Sequence, residues 1–231
     1  TSVASGAVLD LNFNNASLGN SNAITLQGAG IGGNGALSFS GTNVTLSNAL
    51  ILGSDSSIGG SGSGTLNGVV SGAFNVTKVG SGTISLSGIN TYSGSTSITA
   101  GTIAIAADSG LGSAPGSATA GQLTLAGGTL ESTASLSLDA NRGLALGSGG
   151  GTLFVDSGTS LSYDGIIAGA NNLTKSGTGT LILGGANSNS GSTAINAGTL
   201  SLTQVAALGD TTATSVASGA VLDLNFNNAS L

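Results

Sequence analysis

The sequence contains no histidine, cysteine, methionine or tryptophan, a single proline, and only three basic and nine acidic residues among 231. Each absence removes a class of chemistry. Without His or Cys there is no Ser-His-Asp or Cys-His nucleophile, no imidazole or thiolate zinc site and no disulfide. Three basic residues, Lys78, Arg142 and Lys175, cannot neutralise a run of phosphates, which argues against nucleic acid as a partner. No stretch approaches the roughly 18 consecutive apolar residues of a membrane span, and no basic segment leading into an apolar core opens the chain, so neither membrane insertion nor a signal peptide is expected. Lacking an initial Met, the chain reads as a piece of something longer.

What is abundant is glycine, 42 of 231 residues, which with Ser, Thr and Asn describes a chain that turns often and needs positive φ at many turns. Leu, Ile, Val and Phe number 58, and the net charge of −6 is small for this length, so the composition of a disordered chain is missing. The chain should fold, with a β vocabulary.

Repetition organises it. TSVASGAVLDLNFNNASL occupies Thr1 to Leu18 and recurs unchanged at Thr214 to Leu231. The expected organisation is therefore one repeat unit over 1–213, with 214–231 starting the next identical tandem unit. Inside the unit, a segment from Gly68 aligns with one from Gly165, giving internal copies over 68–103 and 165–200. A finer period shows in apolar-x-apolar pairs, the mark of short strands with one buried face. They begin at Leu9, Ile24, Val44, Leu66, Ile84, Ile103, Leu123, Leu144, Leu161, Leu181, Leu200 and Leu222. The mean step between these markers is about 19.4. At Leu66 the second apolar partner is missing.

A coil of about 19 residues is too short for a strand-helix-strand crossover and long enough for three short strands with Gly, Asn and Ser corners. The expected fold is all-β, a parallel β-solenoid of about eleven coils per unit with almost no helix. One such coil buries too little apolar surface to offset its own ordering, so coils must stack, each satisfying its backbone on the next.

Two stretches, Val76 to Ile105 and Leu173 to Leu202, carry a spaced motif. In the first it comprises Lys78, Gly80, Gly82 and Thr83, then Asn90, Tyr92, Gly94, Thr96, Ile98, Gly101 and Thr102. In the second it comprises Lys175, Gly177, Gly179, Thr180, Leu181, Asn187, Gly191, Thr193, Ile195, Gly198, Thr199 and Leu200, with Asn189 where the first has Tyr92. These residues resemble the autotransporter-associated β-strand repeat, found in passenger regions of large surface proteins exported by type V secretion. The resemblance implies a right-handed parallel β-helix outside a Gram-negative cell, serving as an adhesin or its stalk.

Other motifs compete with plainer readings. Gly28, Gly30 and Gly33 fit a dinucleotide fingerprint with Asp55 downstream, but no helix pattern follows to receive a pyrophosphate. GANNLTKS, Gly169 to Ser176, misses the phosphate-binding loop only at Thr174 and reads as a solenoid corner. Polysaccharide-cleaving solenoids need two or three converging acids. The steps from Asp139 to Asp156 and from Asp156 to Asp164 both fall short of one coil, so these are expected as isolated surface carboxylates with only Tyr163 and Arg142 nearby. GGNGAL at Gly32 and GGSGSG at Gly59 lack the aspartate of a calcium nonapeptide. Lys78 and Lys175 are expected to blunt strands against improper pairing. Five Asn-x-Ser/Thr sequons fall at Asn15, Asn43, Asn75, Asn172 and Asn228.

The reading is thus a structural and adhesive extracellular repeat, not an enzyme, with no cofactor or metal. Its expected partners are tandem copies of itself end to end, lateral or head-to-tail neighbours, and cell-surface or carbohydrate receptors. A carbohydrate-active β-helix enzyme is the alternative. An ice-binding solenoid would need rows of Thr-x-Thr on one face, and within the 1–213 unit only Thr178 and Thr180 supply one.

Overall fold

The computed structural model describes residues 1–226. The fold is a parallel β-solenoid of the right-handed type, about eleven turns with successive turns about 21 residues apart. Among the described residues there is no α-helix, only short 3-10 turns such as Ile31–Gly33 and Val205–Leu208. The chain divides into two compact units, one of Thr1–Ile105 with Ser109–Ala114, the other of Ala106–Asp108 with the chain from Pro115 onward.

In the first unit each coil runs along three faces. One face stacks Ser2–Val3, Ile24–Gly28, the start of Leu50–Gly59 and Val70–Ser71, with Val3 beside Leu26 and Ile24, Leu50 and Val70 in one column. The long strand Leu50–Gly59 then turns onto the second face, where Leu9, Leu37, Ile58, Lys78 and Ile98 stand in register. The third face carries the column Leu18, Leu46, Leu66, Leu86 and Ile105. Alternation explains each column: every second member of a short strand points inward and its neighbours outward. Along Thr83–Leu86, Ile84 and Leu86 are buried while Thr83 and Ser85 are half-exposed.

The second unit repeats the plan. Leu123, Leu144 and Ile167 share one face; Leu130, Leu153, Lys175, Ile195 and Val216 the next; Leu138, Tyr163, Leu183, Leu202 and Leu224 the third. The strands are two to five residues long almost throughout, too short to hold alone and held because each pairs with the coil above and below.

Two details refine the sequence reading. The apolar markers do not sample a single face: in the first unit Leu9 lies on the second face, Ile24 on the first, and Val44, Leu66, Ile84 and Ile103 on the third. Coil length also varies, since the partner of Leu9 is Leu37 whereas the partner of Thr83 is Thr102. Loops therefore make the average coil longer than the marker spacing. Leu66 does not begin its pair but ends it, in register with Leu86; the first inward position is Gly64, in register with Ile84, where a Cβ would lie 2.1 Å from the Phe39 ring that fills the place from the coil below.

The alternation generates a sharp test. Leu86 is 4% exposed and stands in the apolar column of the third face, so Leu86→Asp should lower stability by about 4 kcal/mol or more in urea unfolding. Ser85→Asp, on the outer side of the same strand, should stay within about 0.5 kcal/mol of the parent. Equal losses would mean the strand is inverted.

Candidate functional site

The residues that stand out in this core are polar. Lys78 and Lys175 occupy inward positions, between Ile58 and Ile98 in one column and Leu153 and Ile195 in the other, and are 1% and 0% exposed. The expectation that they blunt strand edges is therefore wrong. Each side chain folds along the corner that follows it. The Lys78 Nζ donates to the carbonyls of Val79 (2.8 Å), Gly80 (2.7 Å) and, one coil on, Ala100 (3.3 Å). The Lys175 Nζ donates to Ser176 (2.7 Å), Gly177 (2.7 Å) and Ala197 (3.2 Å). An ammonium has three donors and no acceptor, so it suits a corner where turning carbonyls would otherwise point inward without partners. Burial lowers the pKa of both lysines to about 8.

The rest of the repeated motif builds the same corner. Gly101, at φ +64°, leaves room for the ammonium, since a Cβ there would lie 2.7 Å from the Lys78 Nζ. Gly198 takes φ +67° at the matching place. Gly80 and Gly177 turn the chain at φ +71° and +72°, and Gly82, Gly94, Gly179 and Gly191 lie against carbonyls of the preceding coil. Thr83 and Thr180 open third-face strands, Thr96 and Thr193 are buried, and Ile98 and Ile195 are wholly enclosed. Asn90 replaces a strand rung with its amide: Oδ1 accepts from the Val70 N–H (2.8 Å) and Nδ2 donates to the Gly110 carbonyl (2.8 Å). Asn187 bridges Ile167 and Ala207 in the same way.

The two copies differ at one buried point. The Tyr92 hydroxyl lies 2.7 Å from the Thr96 Oγ1. Asn189, in its place, is 1% exposed, and neither its Oδ1 nor its Nδ2 has a partner. Orphaned amide atoms in a core are costly.

Four sequon asparagines fall at corners. The Asn43 Nδ2 donates to the Asn15 Oδ1 (3.0 Å), the Asn75 Nδ2 to the Asp55 Oδ2 (3.1 Å), and the Asn172 Oδ1 accepts from the Ser192 N–H (2.9 Å). The amide nitrogens of Asn43 and Asn75 thus already serve a neighbouring coil. Asn228 lies outside the described residues, as do the last five residues of the duplicated segment. Asp55, the acid of the dinucleotide reading, is the acceptor for Asn75, and Gly28, Gly30 and Gly33 flank a 3-10 turn. Gly169 to Ser176 runs from a corner into the strand Leu173–Ser176.

The carboxylates are less isolated than expected, and they do not converge on a substrate. Asp164 is exposed, Asp139 caps its own turn through Asn141, and Asp156 meets Glu131. Burial first, then the Asp156 charge and their hydrogen bond, raises the pKa of the Glu131 carboxyl. Arg142 is 2% exposed and grips Asp108 by two bonds, Nε to Oδ1 at 2.8 Å and Nη2 to Oδ2 at 2.9 Å. Tyr163 is buried, donates to the Arg142 carbonyl (2.5 Å) and accepts from the Leu144 N–H (3.1 Å), and burial pushes its pKa up to about 12. The arginine and tyrosine that could have held a sugar are committed to the core. Among the described residues no three His, Cys, Asp or Glu side chains gather as a metal site, and no helix is long and apolar enough to cross a membrane. The surface offers a shallow apolar groove of about 210 Å³ between Ala118, Gly121, Gly143, Ala145 and Ile166, and a second of about 300 Å³ lined by serines and glycines, among them Ser38, Ser40, Gly60 and Ser81.

Two measurements check this corner chemistry. Lys78→Met leaves three carbonyls without a donor and should cost about 1–3 kcal/mol. A lysine whose pKa is about 8 folded and 10.5 unfolded binds fewer protons in the native state between those values, so stability should rise as pH is raised from 8 to 10.5, and Lys78→Met with Lys175→Met should flatten that rise. Asn189→Tyr should raise the melting temperature, by restoring the phenol its sister copy uses, whereas Tyr92→Asn should lower it.

The passenger-associated-transport-repeat model matches residues 76–105 and 173–202, the two stretches that carry the buried lysines. Over 143 residues, 62% of the chain, the sequence is 42% identical to the adhesin BmaC autotransporter of Brucella suis biovar 1 (strain 1330), a match spanning 4% of that protein's length. No solved structure matches the chain. The lysine-caged corners therefore sit within the two stretches that match the passenger-associated-transport-repeat model, in a β-solenoid that over 62% of its length is similar to an autotransporter adhesin.

Proposed function

We propose that the chain is a structural, adhesive and non-enzymatic segment of a protein displayed on the surface of a Gram-negative bacterium, a stiff spacer that holds contacts away from the cell. The observation that carries this reading is the unchanged recurrence of Thr1–Leu18 at Thr214–Leu231 on a fold whose coils add end to end. Duplication of this kind multiplies a surface, which suits a spacer or a multivalent binder. The similarity to an autotransporter adhesin supports the surface location and the adhesive role. The repeated Ser, Thr and Asn of the outer corners offer hydroxyls and amides in rows, and cell-surface or carbohydrate receptors are the partners such rows fit. The commitment of Arg142 and Tyr163 to the core weighs against the carbohydrate-cleaving alternative.

The test is length. Each turn adds one inter-strand spacing, about 4.8 Å, so a 213-residue unit with turns about 21 residues apart adds about ten turns, roughly 48 Å. Proteins of one, two and three units studied by small-angle scattering should lengthen by that fixed step at constant cross-section. Growth in cross-section, or units that tumble independently, would overturn the spacer reading.

A further inference from the structure

The sequence has two Asn-Gly steps, Asn34–Gly35 and Asn67–Gly68. In such a step the backbone nitrogen can reach the preceding side-chain amide, because glycine carries no Cβ to hold it away. The fold treats the two steps in opposite ways. Asn34 is exposed, but its backbone is fixed on both sides. Its own N–H donates to the Ile31 carbonyl (3.2 Å), and the Gly35 N–H donates to the Ala29 carbonyl (2.9 Å). The Asn34 carbonyl packs against Gly59 of the next coil, where a Cβ would lie 2.2 Å away. A nitrogen committed to a carbonyl must give up that bond before it can attack anything. Asn67 follows the strand Ser63–Leu66 at an exposed corner, and its N–H is anchored to the Leu46 carbonyl at 2.9 Å. Among the described residues neither the Asn67 side chain nor the Gly68 N–H has a hydrogen-bond partner. The neighbours of Asn67 in its column, Ser47 and Ser87, are also exposed, so water reaches the step from outside.

We propose that Asn67 is a site of spontaneous deamidation in the folded chain, and that Asn34 is protected from it. The Gly68 nitrogen gives its proton to solvent base and bonds to the Asn67 Cγ, the side-chain nitrogen leaves as ammonia, and a five-membered imide results. Water then opens the imide. Attack at Cγ breaks the new bond and leaves an aspartyl residue; attack at the main-chain carbonyl carbon breaks the original peptide bond and leaves an isoaspartyl linkage, in which the chain runs through the side chain. Nothing is oxidised or reduced, and either product adds one negative charge to a chain whose formal net charge is −6. The two products differ in what they do to the coil. The aspartyl product keeps the backbone as it was, with the new carboxylate in solvent. The isoaspartyl product lengthens the backbone by one atom directly before Gly68, which has no slack, since a Cβ there would lie 1.9 Å from the Asn48 carbonyl oxygen. Deamidation at this corner therefore marks the age of the chain by charge and, through the isoaspartyl fraction, loosens one coil against the next. The site stands independently of the spacer reading.

Peptide mapping by mass spectrometry, on the full chain aged folded in mildly alkaline buffer, tests it. Asn67 should convert at least about fivefold faster than Asn34, the factor that one retained hydrogen bond imposes. In urea the two steps should convert at similar rates, which assigns the difference to the fold. Asn67→Gln should remove the fastest-forming acidic species seen by ion exchange. Methyl transfer by a protein isoaspartyl methyltransferase should label the aged parent at position 67, and the labelled fraction should melt below Asn67→Asp, which carries the charge without the extra backbone atom. A folded chain in which Asn67 stays intact while the urea-unfolded chain converts would overturn the proposal. So would conversion of Asn34 as fast as Asn67 in the folded chain, or an acidic species that forms at the parent's rate in Asn67→Gln.

Discussion

The coil-to-coil hydrogen bond is the interaction everything else depends on. A strand of two to five residues cannot satisfy its backbone within its own coil, and the registered pairs described above each join one coil to the next, from Thr83 with Thr102 to Leu9 with Leu37. Stability is therefore a nearest-neighbour property, and a coil with only one neighbour is the weakest place.

Because strands are short, much of each coil is corner, and corners create the polar problem that the repeated motif addresses. Carbonyls at Gly80 and Gly177 turn inward, and a buried ammonium gathers them together with a carbonyl of the next coil. Asn90 and Asn187 span coils where no strand can form. Asp55, Asn75 and Ser95 form a ladder at another corner, each taking or giving a bond to the coil beside it. These devices fix vertical register at places where apolar packing alone would allow slippage.

Much of the fold is legible in the sequence because alternation and repetition are local properties. The apolar pairs at Ile84/Leu86 and Leu181/Leu183 name inward positions directly, and the glycine-rich corners follow from composition. Coil length is legible only on average, since loops of different size sit between faces. A lone charge in a strand normally marks solvent, which is why Lys78 and Lys175 read as edge guards; nothing in a single strand announces three carbonyls arriving from the next two residues and the next coil. The Arg142–Asp108 pair and the Glu131–Asp156 contact join residues whose separations match no regular period. Asn189 is visible as a departure from its sister motif, but its orphaned amide is a fact of packing.

Amide hydrogen exchange along the full chain tests most directly whether coil-to-coil bonding holds the molecule together. Slow exchange should recur from coil to coil at the N–H groups that reach the next coil, such as Ser56, Val76 and Thr193, with the fastest strand amides in Ser2–Val3 and Val221–Leu224, where a neighbour is present on one side only. Protection confined to one compact block, without that recurrence, or strongest at Val221–Leu224, would contradict it.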